Sequence, residues 1–125
     1  MIVKDGLYYT KTHEWIRLEG DVASVGITDF AQNQLTDIVY VDLPKVGAMI
    51  KAGEIAGTVE SVKSAEDFYS PITGKVLEVN KDLEKSPELI NKDAYQAWMY
   101  KMKISNPSEV SSLMKKDDYE KLIKK

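Results

Sequence analysis

The chain has 125 residues, of which 43% are hydrophobic and 30% are charged, the composition of a folded globular protein about one domain long. Its formal net charge of −3 argues against a nucleic-acid-binding protein, which normally presents a basic face. Cysteine is absent and histidine occurs once, at His13, which excludes disulfides, cysteine nucleophiles and metal sites built on a histidine pair.

The sequence also predicts where the protein works. No apolar run reaches transmembrane length, and residues 1–6 lack the apolar stretch of a signal peptide. Arg17 is the only arginine, which leaves little for bidentate recognition of phosphate groups. We therefore expect a cytoplasmic or already processed protein that binds neither membranes nor nucleic acids.

Most of the first 105 residues are predicted to form short strands separated by turn residues. Many short strands with regular turns are typical of a barrel or a sandwich. The candidate strands, in chain order, are 8–10, 14–18, 22–27, 38–43, 54–61, 68–70, 75–80 and 98–104. Alternation predicts two one-sided apolar sets: Val39, Val41 and Leu43, and then Trp98, Tyr100, Met102 and Ile104.

Two stretches are predicted to be helical. The short segment 29–35 begins with a candidate capping box, in which Asp29 is followed three residues later by Gln32. The segment from about 107 to 124 follows a candidate N-cap, Asn106, and carries apolar residues at helical spacing. No long linker divides the chain, so we expect one domain over residues 1–125 with a β core of about 7–105.

Few residues are suited to catalysis by the chain itself. A lone histidine beside an aromatic residue, as His13 is, is more often a structural or surface group than a general base. Lys63 differs from the other lysines because it lies between two strand-like runs, at or near the tip of a predicted hairpin. An exposed amine on a rigid turn suits enzymatic acylation, although position alone would also fit an ordinary solvated lysine.

Several blocks of residues along almost the whole chain match the pattern of one known family. They are Glu60-Ser61-Val62-Lys63-Ser64, Asp67, 69–76 and 78–80, with Thr12-His13-Glu14-Trp15, 25–28, Ala31-Gln32, Leu35, 37–44, 87–91 and the 113–119 tail. In their order and spacing these blocks resemble the glycine cleavage system H protein family, and the segment around Lys63 resembles the lipoylation region of that family.

This resemblance implies both a fold and a role. The fold would be mainly β, a flattened antiparallel barrel-sandwich hybrid related to lipoyl and biotinyl domains, with a short internal helix and C-terminal helices. Lys63 would carry lipoic acid in amide linkage, attached by a lipoate-attaching enzyme. The protein would be a non-catalytic shuttle, since its arm would accept an aminomethyl group from the pyridoxal-phosphate enzyme glycine decarboxylase and deliver it to the tetrahydrofolate-dependent aminomethyltransferase. Dihydrolipoamide dehydrogenase would then reoxidise the dithiol.

The resemblance also implies which side chains contact the arm. A loaded arm carries a cationic amine, so acidic and hydroxyl partners are expected near it. In the family they come from positions that correspond here to Thr12, Glu14 and Asp67. We expect a monomer, and no metal is implied.

Two positions depart from the family pattern. Thr36 stands where the family more often has glycine. The stretch 91–98 lacks the proline and both glycines of the family's usual Asp-Pro-Tyr-Gly-x-Gly-Trp, and it is one residue shorter. Because proline and glycine determine which backbone angles are comfortable, this loop is predicted to have a different shape, with consequences for partner docking.

Three alternatives remain open on the sequence. A biotin carrier would place its lysine in a Met-Lys-Met-like turn, which Met102-Lys103-Ile104 weakly matches, but Lys103 is predicted to point outward from a strand. An H-like protein that stores or relays lipoyl groups to other complexes is the second. A pure interaction protein with an unmodified Lys63 is the third, and the intact mass of natively expressed protein separates the lipoyl, biotinyl and unmodified cases.

Overall fold

The computed structural model describes residues 1–124. Its strands are β1 (Tyr8–Tyr9), β2 (Glu14–Glu19), β3 (Val22–Ile27), β4 (Ile38–Asp42), β5 (Met49–Ile50), β6 (Ile55–Ser61), β7 (Ala65–Tyr69), β8 (Gly74–Val79) and β9 (Tyr100–Ile104). Its α-helices are α1 (Asp29–Leu35), α2 (Asp82–Lys85), α3 (Leu89–Lys92) and α4 (Lys116–Ile123), and a 3-10 helix spans Pro107–Ser112.

The strands form two antiparallel sheets. The larger sheet has the order β1-β2-β3-β9-β8-β5, and the smaller one has the order β4-β6-β7. Buried apolar side chains from both sheets meet in one core cluster, to which β3, β6, β8 and β9 all contribute. This arrangement confirms the predicted mainly β fold with a few short helices.

A β-bulge in β4 overturns one predicted apolar face. Ile38 pairs with Ser61 and Tyr40 pairs with Glu60, so Val39 is an extra residue in the ladder. Val39 and Tyr40 both point outward, with exposed fractions of 54% and 52%, whereas Ile38 and Val41 are buried. The prediction that Val39 and Val41 share a face with Leu43 is wrong, because a bulge breaks the two-residue period of a strand.

Several predicted element boundaries are also wrong. β7 begins at Ala65, three residues earlier than predicted, because its polar first half is paired with β6 through Glu60 and Ala65. β9 begins at Tyr100, two residues later than predicted. The sequence reading missed β5, α2 and α3, which are too short to show a periodic pattern.

The N-cap of α1 lies one residue before the predicted one. Thr28 is the N-cap, and its side-chain oxygen accepts a hydrogen bond from the backbone N–H of Ala31. Asp29 is the first helical residue, and Gln32 donates to its carboxylate from the side-chain amide instead of closing a capping box. Asn106 does cap the 3-10 helix, as predicted, by accepting from the N–H of Ser108.

The C-terminal segment packs against the edge strand β1. Tyr9 and Met114 exchange two backbone hydrogen bonds, at 2.8 and 2.9 Å. The ring of Tyr119, on α4, stacks on the ring of Tyr9 with 4.7 Å between centroids. This edge of the larger sheet is therefore covered by the chain itself.

The loop with the unusual sequence is fastened to Trp15 and Arg17. The Trp15 indole N–H donates to the carbonyl of Ala94, and the Arg17 guanidinium donates to the carbonyl of Tyr95. Tyr95 is itself buried and packs against Trp15. That its shape differs from the family loop stays a prediction.

Candidate functional site

Lys63 lies at the tip of the hairpin between β6 and β7, as predicted. The hydroxyl of Ser61 accepts hydrogen bonds from the backbone N–H groups of both Lys63 and Ser64, each at 3.1 Å. The N–H of Ser61 in turn donates to the carbonyl of Ser64 at 2.8 Å. A serine that holds two consecutive N–H groups fixes the turn from inside, so the lysine stands on a defined backbone.

The hairpin tip is docked onto the turn that follows α1. The N–H of Val62 donates to the carbonyl of Asp37 at 3.0 Å. The Lys63 ammonium donates to the carbonyl of Gln34 at 3.1 Å, at the C-terminal end of α1. The side chain is exposed, as predicted, but its amine lies along this turn and does not extend away from the protein.

Thr36 occupies the centre of that turn in a strained backbone conformation. Its φ of 66° and ψ of −146° fall in a region that is essentially restricted to glycine. This is the position at which the resemblance leads us to expect glycine. The two carbonyls that hold the hairpin, those of Gln34 and Asp37, flank it on either side.

A cavity of about 430 Å³ opens beside Lys63, between α1, the β6–β7 hairpin and the residues that precede β2. One part of its wall is apolar, and the other part carries hydroxyl, imidazole and carboxylate groups. The apolar residues are Ile27, Phe30, Ala31, Leu35, Val59 and Phe68; the polar ones are Thr12, His13, Gln34, Lys63, Ser64, Glu66 and Asp67.

Of the predicted arm-contacting residues, Thr12 and Asp67 line this cavity together with Lys63. Both also line a second, more open depression beside it. Asp67 is exposed, and one of its carboxylate oxygens accepts a hydrogen bond from the Thr58 hydroxyl at 3.2 Å. Its other oxygen has no hydrogen-bond donor among residues 1–124 and can accept one from a ligand.

Glu14 is placed differently from the other two. It is only 1% exposed, and it lines a neighbouring depression with Thr12 and Tyr69, not the cavity beside Lys63. Its carboxylate accepts hydrogen bonds from the hydroxyls of Thr10 and Thr12 and from the N–H of Tyr69. Burial raises the pKa of the Glu14 carboxyl, and these hydrogen bonds oppose the rise.

The cavity fits the lipoyl group that the sequence resemblance implies. A saturated chain that ends in a sulfur ring requires an apolar wall, which the aromatic and aliphatic lining supplies, and its attachment point must lie at the rim, where Lys63 is. A cationic group at the end of such a chain would require acceptors, and Thr12 and Asp67 offer them. The residues present are therefore consistent with this cofactor.

Sequence reasoning missed several residues of the cavity wall. The sequence pattern predicts Phe30 only as part of the short helix 29–35, and Gln34 contributes through its backbone carbonyl, which no side-chain pattern can reveal. The sequence predicts a structural or surface role for His13, whereas the structure places its ring on the cavity wall. Its direct neighbours in the chain, Thr12 and Glu14, are the signal that could have placed it at the site.

The lysine of the biotin-carrier alternative lies elsewhere. Lys103 is an exposed residue of β9 and forms an ion pair with Asp21 at 3.2 Å, so it points outward from a strand as predicted. Among residues 1–124 there is no group of three histidine or acidic side chains placed to hold a metal ion. No helix in the same range has the length and apolarity to cross a membrane.

Comparison with known proteins connects this site to a family. The family model described as glycine cleavage H-protein matches residues 7–125. The chain is 59% identical over 121 residues to a probable glycine cleavage system H protein of Thermoplasma acidophilum, covering 97% of this chain and 95% of the relative. It is 52% identical over 122 residues to the glycine cleavage system H protein of Leptospira biflexa, covering 98% and 94%. The crystal structure of a glycine cleavage system H protein from Mycobacterium marinum superimposes with a TM-score of 0.87 at 36% identity, covering 95% of this chain and 97% of that one, which confirms the expected barrel-sandwich hybrid fold.

Proposed function

The chain belongs to the glycine cleavage H-protein family, and we propose that it is the lipoyl-bearing shuttle of the glycine cleavage system. In this role it carries an aminomethyl group from glycine decarboxylase to the aminomethyltransferase, and dihydrolipoamide dehydrogenase then reoxidises it. The protein acts as a carrier and leaves the catalysis to these three enzymes. A lipoate-attaching enzyme modifies Lys63 beforehand.

The observation that carries the proposal is the position of Lys63 at the rim of the cavity. Its backbone is fixed by Ser61, its amine is exposed, and the adjacent cavity is large enough for an eight-carbon chain. A modifying enzyme can reach the amine from outside, and the attached chain can fold back against the protein. A solvated loop lysine would need neither the fixed turn nor the cavity.

When bound, the lipoyl group would supply a redox-active pair of sulfur atoms to a chain that has no cysteine of its own. The chain's residues position and shield it. The apolar wall formed by Phe30, Leu35 and Phe68 excludes water from the folded-back arm. Thr12 and Asp67 accept hydrogen bonds from a cationic group, and Asp67 also provides an opposite charge.

We further propose that residues 1–125 form one lipoyl-carrier domain, with the C-terminal helical segment as an integral part. The backbone pairing between Tyr9 and Met114 and the ring stacking between Tyr9 and Tyr119 support this. Both contacts join the C-terminal segment directly to the edge of the larger sheet.

The intact mass of natively expressed protein tests the modification. We expect the mass increment of one lipoyl group in the natural protein and in a Lys103→Arg variant, and no increment in a Lys63→Arg variant. A biotinyl increment, or an increment that persists in Lys63→Arg, contradicts the proposal.

An exchange assay tests the pathway. Lipoylated protein should support the exchange of carbon dioxide with the carboxyl group of glycine when it is mixed with glycine decarboxylase, and the Lys63→Arg variant should not. A fully lipoylated protein that supports no exchange would instead favour the role of relaying lipoyl groups to other complexes.

A further inference from the structure

His13 is an imidazole on the cavity wall that the proposed function leaves without a role. It lines both the cavity beside Lys63 and the adjoining depression. Its backbone has a φ of 72°, in the left-handed region, where histidine is more common than most non-glycine residues. Its ring contacts the ring of Phe30, with 4.8 Å between centroids, on one side and the edge of Tyr119 on the other.

A chain of hydrogen bonds connects His13 to the C-terminal helix α4. The Nδ1 atom of His13 lies 2.8 Å from the hydroxyl oxygen of Tyr119, and that oxygen lies 2.7 Å from the hydroxyl oxygen of Thr28. Thr28 and Tyr119 are both fully buried. The hydroxyl oxygen of Thr28 also accepts from the backbone N–H of Ala31, as the N-cap of α1.

The directions of these hydrogen bonds follow from which groups can donate a hydrogen and which can accept one. The Thr28 oxygen already accepts from Ala31, and among residues 1–124 the only acceptor within reach of its own hydrogen is Tyr119. If Thr28 donates to Tyr119, the Tyr119 hydroxyl is free to donate to Nδ1 of His13. Every hydrogen then has an acceptor, and the neutral imidazole carries its proton on Nε2.

Protonation of His13 disrupts this arrangement. A proton on Nδ1 would turn that atom into a donor, so the Tyr119 oxygen would accept from it and the hydroxyl hydrogens of Tyr119 and Thr28 could no longer both have an acceptor. One of these two hydroxyl hydrogens would then lack an acceptor in a fully buried position, which carries a free-energy cost. Burial of the ring acts in the same direction and lowers the pKa of His13.

The Nε2 atom remains available to the cavity. Among residues 1–124 it has no hydrogen-bond partner, and it is not among the buried polar atoms without a partner, so it is reached by solvent. An N–H group on Nε2 can donate to a ligand but adds no charge.

Few charged groups line the two depressions together with His13, and the carboxylate of its chain neighbour Glu14 lines a different depression. Glu66 and Asp67 of β7 face it across the two depressions, Lys11 faces it from the residues before β2, and Lys63 does so from the hairpin. Tyr119 of α4 contacts it directly, and α1 presents the uncharged ring of Phe30. Acylation of Lys63 removes its charge, which leaves two carboxylates against one ammonium. A neutral His13 keeps this wall net negative, and a protonated His13 makes it neutral.

We propose that Tyr119 of the C-terminal helix holds His13 as a neutral Nε2–H donor, so that the wall of the Lys63 cavity stays net negative and attracts a cationic aminomethyl group. His13 is thus a positioning and charge-setting residue, and α4 reaches the cavity through it. This inference rests on the proposed function for the identity of the cation. The hydrogen-bond arrangement itself does not depend on that function.

Nuclear magnetic resonance of the unmodified full-length protein tests the arrangement. Because His13 is the only histidine, its ring nitrogen signals need no assignment. We expect the neutral ring to carry its proton on Nε2. In Tyr119→Phe the pKa of His13 should shift upward, because Nδ1 can then be protonated without displacing a hydroxyl hydrogen.

Tyr9→Phe is the matched control. The ring of Tyr9 stacks on the ring of Tyr119, so this variant also changes a tyrosine next to His13. Like Tyr119→Phe, it removes one phenol hydroxyl and its hydrogen bond, here the one donated to the Lys4 carbonyl. The Tyr9 hydroxyl does not contact His13, so the pKa of His13 should stay at the natural value. A proton on Nδ1 in the natural protein, or the same pKa in natural and Tyr119→Phe protein, overturns the proposal.

A second measurement tests the consequence for the cargo. The rate at which lipoylated, aminomethyl-loaded protein loses its cargo should increase as the pH falls through the titration of His13, and Tyr119→Phe should move this inflection to higher pH. His13→Asn, which tolerates a positive φ and cannot titrate, should lack the inflection. An unchanged inflection in His13→Asn contradicts the charge-setting role. Failure of the protein to accept a lipoyl group would instead contradict the proposed function, and the resonance measurement on unmodified protein would still decide whether Tyr119 holds His13 in the Nε2–H form.

Discussion

The side-chain amide of Asn91 donates a hydrogen bond to the backbone carbonyl of Thr36 at 2.8 Å and so supports the turn on which the lysine hairpin rests. The same amide nitrogen donates to the side-chain oxygen of Gln32 at 2.9 Å. The amide oxygen accepts from the backbone N–H of Ile38, also at 2.9 Å. One residue of α3 therefore joins α1, the strained turn and β4.

Replacing Asn91 with aspartate should destabilise the protein by about 2 kcal/mol, because two acceptors would then face a carboxylate that has no hydrogen to donate. Chemical denaturation at neutral pH measures the change. Asn33→Asp adds the same charge on an exposed face of α1 and is the matched control. Equal stabilities of the two variants would contradict the role of Asn91.

Replacing Thr36 with glycine should stabilise the protein by about 1 kcal/mol. The backbone angles of Thr36 strain any residue with a β-carbon, and the relief exceeds the loss of the short hydrogen bond that its hydroxyl donates to Leu35. Denaturation midpoints check this. Thr36→Ala removes the hydroxyl and keeps the strain, so a gain in that variant as large as in Thr36→Gly would contradict the explanation.

The pH dependence of stability should reveal the buried carboxyl of Glu14. Its pKa is raised in the folded state, so its contribution to stability is complete below the unfolded-state pKa and is lost as the pH rises through the folded-state pKa. The stability of the natural protein relative to Glu14→Gln should therefore decrease from acidic to neutral pH. Urea denaturation at a series of pH values measures the difference.

Glu78→Gln controls for the loss of one negative charge, because Glu78 is exposed on β8. If the stability of the natural protein relative to Glu14→Gln increased from acidic to neutral pH, the raised pKa would be contradicted. It would also be contradicted if Glu14→Gln and Glu78→Gln showed the same dependence of stability on pH.

Replacing Glu14 and Asp67 together with alanine should shorten the lifetime of the aminomethyl-loaded form. Asp67 faces the cavity directly, and Glu14 acts from the adjacent depression by holding the hydroxyl of Thr12. We expect the single Asp67→Ala change to produce the larger part of the loss. The release of the cargo after loading with glycine and glycine decarboxylase provides the measurement.

The double variant Asp42→Ala with Glu78→Ala removes one aspartate and one glutamate from exposed strand positions, so its net charge equals that of the Glu14 and Asp67 double variant. Its loaded form should last as long as that of the natural protein. An unchanged lifetime in the Glu14 and Asp67 double variant would show that these carboxylates do not hold the cargo.

The fold class and the candidate lysine could be predicted from the sequence because both depend on local patterns. Turn residues and short alternating runs indicate the strands, and the strand-like runs on either side of Lys63 predict its place at a hairpin tip, where the structure has it. Elements of two to four residues, such as β5 and α3, could not be predicted, because they are stabilised by neighbours distant in the chain.

The surroundings of the lysine were decided only by the tertiary structure. The bulge at Val39 depends on pairing with β6, the turn at Thr36 depends on Asn91, and the orientation of His13 depends on a tyrosine that lies 106 residues later.

The composition of the chain, with no cysteine and one histidine, determined by itself that redox sulfur would have to come from a bound group and that no pair of histidines could act together. It could not determine what the one histidine does. The tautomer and charge of this histidine depend on which hydroxyl groups donate hydrogen bonds in a buried network. Only the folding of the C-terminal helix against β1 brings the Tyr119 and Thr28 hydroxyls of that network together.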